Sequence, residues 1–254
     1  MRIDIKKAIA SKNEKLAKLL PRFVIKTLEK IVAQDEMNQF LEAHDHDPAL
    51  EFAKNTINAP KTGRYILVSN HPLGGIDGVA LLAVMSKYRT DIKIPANDFI
   101  MQIEPLHELL IPINKHGKNN REVSNYINEV FASDDLIIYF PAGLCSRENK
   151  GVLMDPEWKK TVVSKSKAYQ RDIIPVFFDG RNTDRFYRIA RWRKRLGIKF
   201  NIEMLFLPSE VFRHKGEQFN IIFGKPISYQ TFDKSKTDYE WTTWLKEQVY
   251  ALKK

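Results

Sequence analysis

The sequence predicts an α/β fold: a mixed, largely parallel central sheet flanked by helices, preceded by a helical N-terminal segment. After Gly63, short and nearly continuous apolar runs alternate with amphipathic stretches, a pattern typical of buried strands separated by helices. Before that point, apolar residues recur at helical spacing. We therefore predict two parts, a helical segment over residues 1–60 that is one candidate for membrane contact, and an α/β domain over residues 61–254.

The N-terminal segment has a helix start and an end that can be read from residue types. Pro21 suits the first turn of a helix, because its ring fixes φ and it has no N–H to leave unpaired. Two stretches rich in turn-forming residues, HDHDP (44–48) and NAPKTG (58–63), end the segment. The apolar residues at helical spacing are Leu20, Val24, Leu28, Ile31 and Val32.

The second part contains seven apolar runs that we predict as strands and four amphipathic stretches that we predict as helices. The strands are Tyr65 to Ser69, Ile92 to Pro95, Leu109 to Ile113, Leu136 to Phe140, Ile173 to Phe178, Ile202 to Leu207 and Phe219 to Phe223. The helices are Gly78 to Lys87, Arg121 to Phe131, Pro156 to Lys167 and Tyr239 to Leu252. In such sheets catalytic and ligand-binding residues lie at the carboxyl ends of the strands. In this sequence polar turns follow Ser69, Ile113 and Phe140.

Composition describes an ordinary folded protein. Hydrophobic residues make up 43% and charged residues 28% of the 254 positions, which excludes disordered and fibrous classes. The longest apolar runs, such as 136–142, are far shorter than the roughly 18 residues that cross a bilayer. The N-terminus has no continuous apolar core of a signal peptide, and the single Cys145 fits a reducing compartment. We expect a cytoplasmic protein that does not span a membrane.

The net charge of +10 predicts an anionic partner. Residues 1–30 carry nine Lys or Arg against three acids, and residues 181–197 carry seven against one. The second cluster is interleaved with Phe186, Tyr187 and Trp192, a mixture that suits an anionic lipid surface on an amphipathic helix. The same mixture also suits RNA, where aromatic rings stack on bases, and a solvated helix face remains the simplest alternative for either cluster.

The stretch NHPLGGIDG (70–78) carries the strongest chemical signal, since Asn70 and His71 directly follow a strand. The adjacent glycines permit a tight turn and close approach of a substrate. Asp77 is placed to cap the following helix and, if the turn folds back, to accept a hydrogen bond from His71. The free imidazole nitrogen could then remove a proton from a hydroxyl. From residue types alone, a polar corner between strand and helix explains these residues equally well.

Two further turns offer groups that bind anions. In IYFPAGLCSRENKG (138–151), Ser146 and Arg147 could hold an anionic group, although an exposed loop arginine is the plainer reading. Cys145 suits a small packing residue better than a nucleophile. The turn IPINKHGKNNRE (111–122) brings Lys115 and Arg121, with His116 and Lys118, after a strand, and a solvated turn explains them equally.

Several chemistries are not expected. We predict no metal at HDHD (44–47), because alternate residues point in different directions. The sequence contains no G-x-S-x-G, no G-x-x-x-x-G-K-[ST], no G-x-G-x-x-G and no zinc spacing. The absence of these motifs excludes the common classes of hydrolase, nucleoside triphosphatase and dinucleotide-binding protein.

Four blocks in one order, NHPLGGIDG, FIMQIEPL…IPINKHGKNNRE, FPAGLCSR and IIPVFFDGRNTDRFY, resemble the glycerolipid acyltransferase superfamily of the lysophosphatidic acid acyltransferases. The likeness covers roughly residues 60–230 and is closest to the bacterial hemolysin-like branch, with its ornithine-lipid and glycine-lipid O-acyltransferases. The family pattern has four residues between its histidine and aspartate, whereas five separate His71 from Asp77, as is usual in this branch.

The resemblance implies that His71 is the general base on an acceptor hydroxyl and that Asp77 stabilises its imidazolium. That hydroxyl attacks an acyl thioester of acyl carrier protein or coenzyme A, with no metal, bound cofactor or covalent acyl-enzyme. It implies substrate-binding residues around the pair, with backbone N–H groups of the glycines as candidates for an oxyanion site. These predicted substrate contacts are Asn70, Gly74, Gly75, Lys115, Arg121, Gly143, Ser146 and Arg147.

The third block departs from the family pattern FPEGTRS, whose Glu, Gly and Arg help to bind the acceptor. Ala142 replaces the glutamate, Leu144 the threonine and Cys145 the arginine, while Arg147 lies two residues later. In the second block Gln102 stands where an arginine is frequent, so its anion role passes to Lys115 or Arg121. A lyso-aminolipid whose carboxylate lies near Arg147 or Lys115 therefore fits at least as well as lysophosphatidic acid.

The resemblance also gives the basic clusters a role, because an enzyme of lysolipids must meet its substrate at a membrane. We predict contact with an anionic surface through Arg188, Arg191, Trp192 and Arg193, peripheral on the cytoplasmic side of the inner membrane. One cluster could instead dock acidic acyl carrier protein. The alternatives are a non-catalytic lipid-binding protein of the same fold and an RNA-binding protein, although no nucleic acid is expected as partner.

Overall fold

The computed structural model describes residues 60–96, 108–113, 120–149, 151–214 and 219–253. They belong to two compact units. The sheet unit contains the described residues up to Arg181 and from Phe219 onward, and the helical unit contains residues 182–214. The predicted helical segment 1–60 lies, apart from Pro60, outside the described residues, so the division at residue 60 stays a prediction.

The sheet unit alternates strands and helices along the chain. Its strands are β1 Tyr65–Ser69, β2 Ile92–Ala96, β3 Leu110–Pro112, β4 Leu136–Tyr139, β5 Arg147–Asn149, β6 Val152–Met154, β7 Asp172–Asp179 and β8 Asn220–Phe223. Its helices are α1 Ile76–Ser86, α2 Asn120–Ala132, α3 Thr161–Tyr169 and α6 Asp238–Tyr250, with a 3₁₀ turn at Tyr229–Thr231. The helical unit supplies α4 Asp184–Arg195, a 3₁₀ helix Ile202–Phe206 and α5 Leu207–Arg213.

Six strands form the central sheet in the order β3-β2-β4-β1-β7-β8. The first five run parallel, and β8 pairs antiparallel with β7. The predicted mixed, largely parallel sheet flanked by helices is therefore confirmed. Because β1 lies between β4 and β7, the residues that follow these three strands meet at one edge of the sheet.

The core lies on both faces of the sheet, which explains why the strands are apolar along their whole length. On one face Ile66 and Ile137, which are partners in the register of β1 and β4, pack in a buried cluster with Trp158 and Leu245. Helix α1 is apolar on nearly all sides and buries Leu81 and its neighbours. Helix α6 begins with a capping box between Thr237 and Glu240.

A buried arginine closes the C-terminal end of α2. Arg171, with no exposed surface, donates hydrogen bonds to the backbone carbonyls of Val130, Phe131, Ser133 and Asp135. Burial lowers the pKa of Arg171 to about 10. One side chain thereby binds four carbonyls in the last turn of α2 and the turn that follows it, a role that no sequence motif predicts.

The predicted strand from Ile202 to Leu207 is wrong. These residues form the 3₁₀ helix and the first residue of α5. A short apolar run does not distinguish a strand from a buried helical turn. The helical turn is held by Glu203, whose buried carboxylate lies 2.9 Å from Nε of Arg193 on α4.

Helix α4 confirms the expected basic amphipathic helix. Thr183 accepts a hydrogen bond from the Phe186 N–H as N-cap, and Asp184 lies in the first turn. Basic residues fill the last turn, where they complement the helix dipole. Within the described residues, the helices are all too short or too polar to cross a membrane.

Two further differences concern residues 147–169. The predicted helix start at Pro156 is five residues early, since α3 begins at Thr161. The β5–β6 hairpin was not predicted, because three-residue strands with polar and apolar residues mixed give no periodic signal. The remaining strand and helix bounds agree with prediction to within two residues.

Candidate active site

His71 and the turn after β4 meet because their strands are neighbours. His71 follows β1 by two residues and Phe140 follows β4 directly, and Val68 is paired with Tyr139 in the register. The two rings are in contact, with centroids 4.4 Å apart and planes inclined by 32°. The strand ends therefore bring the first and third sequence blocks to one site.

His71 and Asp77 form a close pair. Oδ1 of Asp77 lies 3.0 Å from Nδ1 of His71, and the side chains are 0% and 15% exposed respectively. The two groups form a charge pair at hydrogen-bond distance. Since Nδ1 faces the carboxylate, Nε2 on the other side of the ring is the nitrogen left for a substrate.

Asp77 reaches His71 because the turn folds back on the helix. Its Oδ2 accepts hydrogen bonds from the N–H groups of Leu73 (3.0 Å) and Gly74 (3.3 Å), and its Oδ1 from Gly78 (3.1 Å). Gly74 adopts φ +85°, which favours glycine. The predicted N-cap role is wrong, since α1 begins at Ile76 and Asp77 lies in its first turn without capping it.

The surroundings of His71 raise its pKa above its ordinary value of 6.5. Burial alone would lower this pKa, but the charge and proximity of Asp77, together with the charge of Asp155, outweigh it. The Arg147 charge acts in the opposite direction. A raised pKa makes His71 a stronger base once it is neutral.

Asp155 was missed by sequence reasoning, yet its side chain binds three donors within the site. Its carboxylate accepts hydrogen bonds from the backbone N–H of His71 (3.1 and 3.2 Å), the Ser146 hydroxyl (2.5 Å) and the Trp158 indole N–H (2.8 Å). Burial raises the pKa of Asp155. Its signal in the sequence is only an aspartate before a proline, which by itself indicates a turn.

The turn after β4 has its polar groups engaged within the protein. Ser146 donates its hydroxyl to Asp155 and its N–H to the His71 carbonyl (2.7 Å). Arg147 folds back, and its Nη1 donates to the carbonyl and Sγ of Cys145, both at 2.9 Å. The fully buried Cys145 suits the predicted packing role. Ser146 therefore joins the two turns, and its predicted contact with substrate stays a prediction.

Asn70 is also structural. The side chain is 3% exposed, its Nδ2 donates to the Phe178 carbonyl (2.9 Å), and its Oδ1 accepts from the Phe178 N–H (2.7 Å). These bonds continue the pairing of β1 with β7 beyond the strand end. The predicted contact of Asn70 with substrate stays a prediction.

The structure shows what the backbone amides of the predicted oxyanion donors bind. The N–H of Gly74 donates to Asp77, and the N–H of Gly143 donates to the Phe140 carbonyl within the turn (3.1 Å). Both amides are thus engaged in shaping their turns. Gly75 lies in open space, where an added Cβ would meet no described atom within 4 Å, and its role stays a prediction.

Other predicted site residues fall elsewhere. Lys115 lies outside the described residues, and so does the side chain of Arg121 at the start of α2. On α4, Arg188, Arg191 and Trp192 are exposed. Arg193 is instead 16% exposed and binds Glu203 and the Ile198 carbonyl within the helical unit, and its predicted membrane contact stays a prediction.

No cluster of metal-binding side chains occurs among the residues that the structure describes. The HDHD stretch lies outside them. The site is thus built from a histidine, two buried carboxylates and an arginine. This set suits proton transfer to and from a hydroxyl, since Nε2 is the only nitrogen of the His71 ring that does not face a carboxylate.

Comparisons with known proteins give the chain its family. A profile described as acyltransferase matches residues 7–254. The lyso-glycine lipid O-acyltransferases of Bacteroides thetaiotaomicron and Phocaeicola vulgatus are 47% and 44% identical over 98% of this chain and 97% and 95% of theirs. The 1-acyl-sn-glycerophosphate acyltransferase PlsC of Thermotoga maritima is 16% identical, with a TM-score of 0.45 over 91% of this chain and 92% of that one. The chain therefore belongs to the acyltransferase family and is an acyltransferase.

Proposed function

We propose that this acyltransferase transfers a fatty acyl group from an acyl thioester to the hydroxyl of a lysolipid, with His71 as general base. The observation that carries the proposal is the close pair of His71 and Asp77 at the carboxyl end of β1. The names of the two relatives support a lysolipid acceptor and lipid biosynthesis. The thioester of acyl carrier protein or coenzyme A is the donor, and no metal or bound cofactor takes part.

The reaction needs one base and one acid, and the same imidazole supplies both. Nε2 of His71 takes the proton of the acceptor hydroxyl while its oxygen attacks the thioester carbonyl. The tetrahedral intermediate collapses with cleavage of the C–S bond, and the imidazolium returns the proton to the leaving thiolate. The Asp77 carboxylate, 3.0 Å from Nδ1, stabilises the imidazolium between the two steps. The products are a diacylated lipid and a free thiol.

We further propose a lyso-glycine lipid as acceptor, in preference to lysophosphatidic acid. The relatives with that name match nearly the whole chain. The turn after β4 leads to Arg147, whose charge acts to lower the pKa of His71. The Arg147 guanidinium donates hydrogen bonds to Cys145, which hold it in place. A guanidinium near the base pairs with a carboxylate head group and equally with a phosphate, so the names of the relatives carry the preference for the glycine lipid.

The direct test measures acyl transfer by purified protein with lyso-glycine lipid or lysophosphatidic acid, each with acyl carrier protein or coenzyme A thioester. We expect turnover with the glycine lipid and a fall of about 10²–10⁴-fold in His71→Gln, the usual contribution of a general base. His214→Gln, at the end of α5 in the helical unit, is the matched control and keeps its rate. Unchanged turnover by a folded His71→Gln protein would falsify the mechanism.

We also propose that α4 contacts an anionic membrane surface, on the cytoplasmic side where acyl thioesters occur. The helix exposes Arg188, Arg191 and Trp192, and Trp192 and Leu196 are 61% and 66% exposed. A groove of about 500 Å³ with arginine and apolar walls runs along it. Large exposed apolar side chains between cations are typical of interfacial helices. The groove lining includes Arg185, Arg188, Ile189, Trp192, Leu196 and Ile202.

Vesicle flotation tests this contact. We expect binding to vesicles that contain anionic lipid, weaker binding to zwitterionic vesicles, and loss of binding in a Trp192→Ser, Arg188→Glu protein. Tyr239→Ser removes an aromatic side chain that is 49% exposed on α6, and it serves as control. Equal binding by the α4 variant refutes the contact, and tight binding of RNA at moderate salt by the wild type would assign the basic helix to nucleic acid instead.

A further inference from the structure

Asp155 occupies a position that the proton-transfer mechanism does not use. It is 5% exposed and lies between β6 and α3, outside every sequence block that resembles the family. Its side chain nevertheless accepts hydrogen bonds from three donors, one of which is the backbone N–H of His71. A buried carboxylate with this many charge-assisted bonds holds its donors firmly, because leaving any of them unpaired is costly.

The three donors come from separate parts of the site. His71 follows β1, Ser146 ends the turn after β4, and Trp158 belongs to the core cluster beneath them. Ser146 also donates its own N–H to the His71 carbonyl at 2.7 Å, so the two turns are joined at two points. Asp155 thereby links the base to the turn that carries Arg147 and anchors both to the core.

Helix α6 fixes Asp155 from the other side. The Asp155 N–H donates to the Tyr250 hydroxyl at 2.7 Å, and the Lys246 ammonium donates to the carbonyls of Asp155 (2.6 Å) and Pro156 (3.0 Å). Tyr250 in turn packs edge-on against Phe177 of β7, with ring centroids 5.8 Å apart. The last helix of the fold therefore determines where the carboxylate lies.

We propose that Asp155 is a positioning residue of the acyl transfer: its carboxylate sets the spacing between His71 and the Ser146–Arg147 turn, with Tyr250 and Lys246 holding it in place. The inference depends on the proposed role of His71 as base. Asp155 touches no reacting atom, and it acts through the main chain of His71 and the side chain of Ser146.

The arrangement also has an electrostatic consequence. The imidazole is paired with Asp77, while its own main chain is bound by Asp155. The Asp155 charge contributes to raising the pKa of His71. Removing that charge without removing the side chain therefore lowers the pKa of the base as well as loosening its position.

Asp155→Asn is the direct test. We expect kcat to fall by about 10–100-fold, a partial loss of general-base catalysis, while KM for the acyl donor stays within about threefold. We expect the acidic limb of the pH–rate profile to move to lower pH. Asp172→Asn is the matched control, because Asp172 accepts one backbone N–H, that of Tyr229, at the opposite edge of the sheet.

A second variant keeps the proposal testable if Asp155→Asn does not fold. Tyr250→Phe retains the ring against Phe177 and removes only the hydroxyl that fixes Asp155. We expect a fall of about 3–10-fold in kcat with donor KM unchanged. If Tyr250→Phe and every folded Asp155→Asn preparation keep kcat within about twofold of wild type, Asp155 is only a structural anchor and the proposal is overturned.

A measurement without substrate separates this proposal from the proposed function. The His71 imidazole can be titrated by NMR in ¹³C-labelled protein, with its signal assigned by its absence in His71→Gln. We expect a lower His71 pKa in Asp155→Asn and an unchanged one in Asp172→Asn. If His71→Gln still transfers acyl groups, the base mechanism fails, whereas an unshifted imidazole pKa in Asp155→Asn counts against Asp155 alone.

Discussion

Replacing Asp77 by asparagine tests the site most sharply, because the contacts of its two oxygens determine how the amide must lie. Oδ2 accepts two backbone N–H groups, from Leu73 and Gly74, whereas Oδ1 accepts one, from Gly78, and faces Nδ1 of His71. In the Asp77→Asn protein the amide oxygen therefore takes the Oδ2 position, where it keeps two hydrogen bonds. The NH₂ group then faces His71.

This orientation disables the base. An NH₂ group opposite Nδ1 of His71 makes that nitrogen an acceptor, so the ring proton moves to Nε2, which can then no longer take a proton from the acceptor. We expect kcat to fall by about 10³–10⁴-fold, comparable to the effect of the same change in a serine protease triad. Without the Asp77 charge the pKa of His71 also falls, and the acidic limb of the residual activity moves to lower pH.

The cost to stability is smaller and can be calculated from the same contacts. The favoured amide orientation loses the bond to the Gly78 N–H, and a lost buried bond costs about 1–3 kcal/mol. For a chain of this size we expect a fall of about 3–10 °C in Tm. The assay combines steady-state acyl transfer at several pH values with thermal unfolding, and Asp172→Asn is again the control.

Two results would refute the reasoning about Asp77. A folded Asp77→Asn protein that keeps kcat within about threefold of wild type would show that the ring tautomer does not matter. A His71→Gln, Asp77→Asn double variant much slower than either single variant would show that the two residues act independently, since partners in one step give non-additive effects.

Three further predictions concern stability and pH. Arg171→Ala should cost about 3 kcal/mol in chemical denaturation by leaving buried carbonyls unpaired, whereas Arg64→Ala, whose exposed guanidinium bonds the same helix end, should cost under about 1 kcal/mol. Asn70→Ala should cost about 2 kcal/mol, with Asn70→Asp in between if the Phe178 N–H keeps its acceptor. Because the folded pKa of His71 is raised, its stabilising contribution is complete below pH 6.5 and is lost as pH rises through the folded value. The stability difference between wild type and His71→Gln should therefore shrink at high pH, and a difference that grows would contradict this sign.

The parts of the fold that sequence could predict are those whose signal is local. The strands β1, β4 and β7 are buried on both faces, so their apolar runs are unbroken and their bounds could be placed closely. The run at 202–207 gave the same signal but forms helical turns, because the deciding contact, Glu203 with Arg193, joins residues on different elements. Short apolar runs do not carry that information.

In the candidate site, too, contacts between residues close in sequence could be predicted and contacts between distant residues could not. His71 and Asp77 lie six positions apart, so their pairing needs only one turn and could be predicted from NHPLGGID. The hydrogen bonds that Asn70 makes with Phe178 could not be predicted, because this partner lies 108 positions away. Asp155 was missed for the same reason, since its donor at His71 is 84 positions distant and its acceptor at Tyr250 is 95.

The order of the strands explains why these distant residues converge on one histidine. Since β1 lies between β4 and β7, the chain after β1 has a neighbour on each side: the turn of Phe140 on one and the backbone of Phe178 on the other. Asp77 reaches the imidazole from the helix that follows the same turn, and Asp155 reaches the main chain from the segment before α3. A base held on every side by separate elements keeps its position when the acceptor binds. Changes to Arg147 should therefore alter which acceptor is used, whereas changes to Asp77 or Asp155 should lower the rate with every acceptor.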